Sequence, residues 1–77
     1  MDNTIEVKIS KAPGGKVHTY TLADDSTVQK LLDVARASGN AYETAGYQIR
    51  VNNEPAGVDT FLDDGDIVTL VGQYKLG

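Results

Sequence analysis

Leu62-Asp-Asp-Gly-Asp-Ile-Val-Thr-Leu-Val71 is the stretch on which the fold depends. Asp63-Asp-Gly-Asp66 is turn chemistry: short carboxylates bond the local backbone and Gly65 tolerates positive φ. The run that follows, Ile67 to Val71, is apolar on both of its faces. That is the composition of a central strand, flanked by other strands and covered by a helix. The rest of the chain therefore has to supply neighbours and a cover.

Thr4-Ile-Glu-Val-Lys-Ile-Ser10 supplies the first neighbour. Its strict alternation places Ile5, Val7 and Ile9 on one face of a half-buried strand. Pro13-Gly-Gly15 is a turn, and Val17-His-Thr-Tyr-Thr-Leu22 reads as the returning strand of a hairpin, with Tyr20 and Leu22 inward. The cover comes next. Ser26 followed by Gln29 predicts a capping box, behind two Asp residues suited to a helix N-terminus. Val28, Leu31, Leu32 and Ala35 form one apolar stripe, and Gly39 supplies the stop, so a helix is expected over about residues 27–38.

Beyond a loop at residues 39–46, Tyr47-Gln-Ile-Arg-Val-Asn52 alternates again, with Tyr47, Ile49 and Val51 inward. Pro55 limits the next segment to a short edge strand at best. Phe61 and Leu62 form an apolar anchor in an acidic loop, and residues 73–77 remain as a flexible tail. The order β-β-α-β-(β)-β predicts an α+β domain spanning residues 1–77, a mixed sheet of four to five strands with one helix across one face. Ile67–Val71 is expected beside the first strand, in parallel.

Composition narrows the function. Seventy-seven residues hold one small domain, and surface scaling implies that roughly 62% of the extended chain's area is buried on folding. There is no cysteine and a single histidine, His18, which excludes disulfide frameworks, thiolate zinc and iron–sulfur sites. No apolar run approaches a membrane span and the start does not read as a signal peptide, so the expectation is a soluble cytoplasmic protein that does not engage membranes. Of the net charge of −4, residues 39–77 carry all of it: Arg50 and Lys75 against Glu43, Glu54, Asp59, Asp63, Asp64 and Asp66. Nucleic acid would be repelled by such a half, and a basic protein partner is the natural complement.

These elements resemble the β-grasp, or ubiquitin-like, fold. The six-residue step from Leu22 to Val28 through the acidic Asp24-Asp-Ser-Thr27 corner is similar to the spacing in ubiquitin-like sequences. Ile49-Arg-Val-Asn-Asn-Glu-Pro55 resembles the "V-N-x-x-x-V" strand and turn of the ThiS and MoaD sulfur carriers. Leu62-Asp-Asp-Gly-Asp-Ile-Val-Thr-Leu70 resembles the "L-x-x-G-D-x-V-x-I" element shared by ThiS, MoaD and TGS domains. In such carriers about eleven residues follow the Gly-Asp before a terminal Gly-Gly. Here Ile67 to Gly77 is eleven residues, with Leu76 at the penultimate position.

The resemblance implies a protein that is not itself an enzyme and needs no cofactor of its own. Its C-terminal carboxylate, at Gly77, would be adenylated by a partner, a ThiF- or MoeB-like adenylating enzyme of the kind that activates ubiquitin. Leu76 departs from the family's glycine and adds bulk beside the reacting carbon. The resemblance also implies that the open sheet face binds partners. Lys8, Arg50, Ile67 and Val71, with Tyr74 of the tail, are the candidates there. A non-covalent β-grasp interaction module and a TGS-like RNA-associated module remain as alternatives, and the free chain is expected to be monomeric. Asp63, Asp64 and Asp66 read as a turn rather than a cation site, and His18 as a partly exposed strand residue rather than a base.

Overall fold

A computed structural model describes residues 3–12, 14–40, 42 and 46–72. Five strands and one helix follow in the order β1 (Thr4–Ala12), β2 (His18–Ala23), α1 (Val28–Ala37), β3 (Tyr47–Val51), β4 (Glu54–Ala56) and β5 (Ile67–Gly72). The sheet is ordered β2-β1-β5-β3-β4, which puts β5 at its centre. β5 runs parallel to β1, with Ile9 opposite Val68 and Lys11 opposite Leu70, and every other pairing is antiparallel. The central strand and its parallel neighbour are those expected from the sequence.

β1 outlasts its alternating stretch by two residues. Its pairing with β2 ends at Ile9 and His18, whereas the ladder with β5 continues to Ala12 opposite Val71. Val17, read as the first residue of the returning strand, lies outside it. At the other edge, Asn52 and Asn53 both take positive φ, 53° and 70°, the conformation of a type I′ turn. That turn returns β3 into the three-residue edge strand holding Pro55.

The cap of α1 differs from the sequence expectation. The N-cap is Thr27, whose hydroxyl accepts from the Lys30 amide at 3.4 Å. Ser26 is buried, and its carbonyl accepts from the Leu62 amide at 2.9 Å. Carbonyls of a passing loop satisfy the next two helix amides: Val28 N–H donates to Thr60 and Gln29 N–H to Val58. With those donors occupied, Gln29 turns along the helix and donates to Asp33 at 3.0 Å instead of closing a capping box. At the other end, Asn40 N–H returns to the Ala35 carbonyl and Gly39 N–H to that of Arg36, a Schellman closure with Gly39 at φ 96°.

The stripe of α1 (Val28, Leu31, Leu32, Ala35) is buried against Ile5, Val7, Ile9, Leu22, Ile49, Val68 and Leu70, with Tyr20 and Val51 partly covered at the margin. The anchor at 61–62 splits. Leu62 is 1% exposed and belongs to the core, whereas Phe61 is 69% exposed. The backbone bridge between Thr27 and Phe61 holds the segment in register, so consecutive side chains point opposite ways.

Candidate functional site

With α1 on one face of the sheet, the odd positions of β5 and the even positions of β1 and β3 share the other. Lys8 stands opposite Ile67, Ser10 opposite Thr69, and Ala12 opposite Val71. On the far side of β5, Thr69 faces Arg50 and Val71 faces Gln48. Four of the residues singled out from the sequence, Lys8, Arg50, Ile67 and Val71, thus converge on one surface from three adjacent strands. Ile67 is 46% exposed at its centre, Val71 is half-buried, and Lys8 is exposed. Tyr74, Leu76 and Gly77 lie outside the described residues.

Arg50 is the most constrained member. Its guanidinium donates from Nη2 to the Gln48 side-chain oxygen at 3.2 Å and from Nη1 to the Asn53 carbonyl at 3.5 Å. Its Nε is buried with no partner among the described residues. The side chain is laid along the sheet rather than extended into water, so its charge sits beside the Ile67–Val71 strip at little further cost in rotamer entropy.

The charge split between sequence halves does not survive as a split in space. β1 and β5 come from opposite halves and lie side by side, so Lys8 shares a face with Arg50. The acidic turn is engaged with the backbone around it. Asp66 accepts from the Asp63 amide at 2.7 Å and from the Asn52 side chain at 2.9 Å, and Asp64 accepts from the Glu6 amide at 2.8 Å. Gly65 takes φ 87° and donates to the Glu6 carbonyl, as its role in a turn requires. No group of three or more metal-ligating side chains converges among the described residues.

His18 is half-buried at the turn end of the β1–β2 hairpin, opposite Ile9. There Tyr20 joins the helix terminus: its hydroxyl is 3.0 Å from the Ser38 hydroxyl and accepts from the Asn40 side chain at 2.8 Å. Burial pushes the Tyr42 phenol above its ordinary range, with the neighbouring Tyr20 adding to the effect. No period or motif marks this cluster, because its members come from β2, the helix terminus and a loop. β5 ends at Gly72, which pairs with Tyr47 of β3.

No protein-family model matches this sequence, and no curated protein matches it either. Solved structures do match. The HVO 2177 protein of Haloferax volcanii superposes with a TM-score of 0.70 at 24% identity, over 96% of this chain and 88% of that one. A molybdopterin converting factor subunit 1 from Pyrococcus furiosus, itself a putative assignment, gives 0.70 at 20% identity, over 91% of this chain and 99% of its own. Urm1 from Trypanosoma brucei gives 0.67 at 17% identity, with both chains fully covered. The fold is therefore the ubiquitin-like β-grasp, and among its structural neighbours are proteins of the MoaD and Urm1 type.

Proposed function

We propose that this chain is a small ubiquitin-like protein of the ThiS/MoaD kind, acted on at Gly77 by an adenylating enzyme that docks on the open sheet face. One observation supports the reading most: end-to-end correspondence with small carrier-type proteins, including full mutual coverage with Urm1. The exposed apolar strip of Ile67 and Val71, flanked by Lys8 and Arg50, lies on the same strand that leads into the tail. A partner gripping that strip would hold the tail's origin at a fixed distance from its own ATP site.

In this reading the Gly77 carboxylate attacks the α-phosphate of ATP and pyrophosphate leaves. A sulfur nucleophile then displaces AMP to give a thiocarboxylate, or a lysine amine displaces it to give an amide. The chain contributes a carboxylate and a docking surface and no catalytic group. No helix among the described residues is long and apolar enough to cross a membrane. Intact mass after incubation with ATP, a sulfur donor and an adenylating enzyme is the test. A gain of one sulfur in place of oxygen, lost when Gly77 is deleted, supports the proposal. Unchanged mass with an enzyme active on its own carrier overturns it.

The penultimate Leu76 favours a second reading, a β-grasp module that binds partners through the same face without tail chemistry. A Leu76→Gly variant separates the two. Gain of a mass change locates the obstacle at that side chain. An inert variant that still binds the enzyme through Ile67 supports the non-covalent module.

A further inference from the structure

We propose that the pocket between the β1–β2 hairpin and the C-terminal end of α1 is a binding site for a phosphate dianion, free or carried as a monoester. A cavity of about 220 Å³ opens there, lined by Lys11, Gly15, Lys16, His18, Asn40 and Tyr42. That volume holds several waters, and no carboxylate lines it among the described residues. In a protein of net charge −4, two of its lysines and its single histidine border one concavity.

The backbone holds this arrangement. The Gly15 amide donates to the Lys11 carbonyl at 2.8 Å, and a Cβ at Gly15 would collide with the Lys11 backbone, so the turn closes tightly only with glycine there. The closure brings Lys16 back beside Lys11. Lys11 in turn is oriented by the Tyr47 ring, whose centroid lies 5.4 Å from its Nζ. Asn40 is fixed by its bond to the Tyr20 hydroxyl. The Tyr42 phenol, an O–H donor at neutral pH as any tyrosine is, lines the same cavity.

An alternative employment for these cations would be the carbonyl end of α1, but that end is already served. Asn40 N–H, Gly39 N–H, Ser38 N–H and the Ser38 hydroxyl all donate to carbonyls of the last turn. Among the described residues no carboxylate shares the cavity lining with Lys11, Lys16 and His18, so an outside anion can meet them there. Two ammonium groups match a dianion, whereas a single carboxylate would leave one uncompensated. The His18 ring, in the same lining, adds a nitrogen donor.

The test is an amide and imidazole NMR titration of the full chain with inorganic phosphate at constant ionic strength, with parallel arms in acetate and in AMP. Saturable shifts confined to Lys11, Gly15, Lys16, His18, Asn40 and Tyr42 are expected. Lys11→Gln and the exposed Lys16→Gln should each weaken phosphate by about tenfold, and Lys30→Gln on α1 should not change it. Tighter binding of AMP than of inorganic phosphate identifies a phosphorylated organic molecule as the ligand; equal binding identifies free phosphate. Shifts that acetate or chloride reproduce, or that saturate at unchanged phosphate concentration in folded Lys16→Gln, overturn the proposal.

Discussion

The Asn52 side-chain amide donates to the Asp66 carboxylate at 2.9 Å across the gap between the β3–β4 turn and the entrance to β5. Its oxygen meanwhile accepts from the Ile67 amide at 3.0 Å, and the second Asp66 oxygen accepts from Asp63 at 2.7 Å. One side-chain pair thus fixes where the central strand begins. Asn52→Ala removes both bonds and puts a Cβ-bearing residue without a local acceptor at φ 53°. A loss of about 1–3 kcal/mol is expected in urea unfolding. Asn52→Ala and Asp66→Ala together should cost less than the sum of the single changes, since they break the same bond.

Adjacent Phe61 and Leu62 should behave oppositely. Leu62→Ala empties a closed core position and should cost about 2–5 kcal/mol, as should Leu31→Ala on the buried face of α1. Phe61→Ala should change stability by about 0.5 kcal/mol or less, because the ring is exposed. Denaturant midpoints for the three variants, compared at equal slope, decide this.

Docking through the open face predicts separable effects. Ile67→Asp and Lys8→Glu should leave the circular dichroism spectrum intact while reducing binding to an adenylating enzyme about tenfold or more, as loss of a central contact does. Chemical-shift perturbation should map to β1, β3 and β5. A footprint confined to the solvent side of α1 would contradict the docking model. Because Lys8 and Arg50 flank the strip, affinity should fall as salt rises and screening shortens.

Tyr42 gives the chain an alkaline limit. Its phenol is raised in the folded protein, mainly by burial and secondarily by Tyr20, so the unfolded chain releases that proton first. The stability this group confers is full below about pH 10 and is lost as pH climbs through the folded value. Tyr42→Phe should flatten that part of the stability profile, read from unfolding midpoints across the alkaline range.

Much of the fold was legible in the chain because its signals are local. The alternation of Thr4–Ser10, the two-faced apolar run Ile67–Val71 and the stripe Val28, Leu31, Leu32, Ala35 each report burial through side-chain period alone. Gly39 and Gly65 announce their turns by the same economy, since positive φ is a property of one residue. The same period assigns Lys8, Ile67 and Val71 to outward positions without reference to a partner strand.

What the tertiary structure decided was everything that depends on residues meeting from afar. The cap moved from Ser26 to Thr27 because carbonyls of Val58 and Thr60, thirty residues on, take the helix amides that a local rule would assign to side chains. Phe61 and Leu62 look alike as a pair, and only the bridge to Thr27 sends one outward and the other into the core. The acidic half and the neutral half of the sequence were interleaved by the parallel pairing of β1 with β5. Lys8 and Arg50 became neighbours of one strip, and Lys11, Lys16, His18 and Asn40 became walls of one pocket. Hydrogen-bond competition and strand crossover act across the whole chain, and no window of consecutive residues contains them.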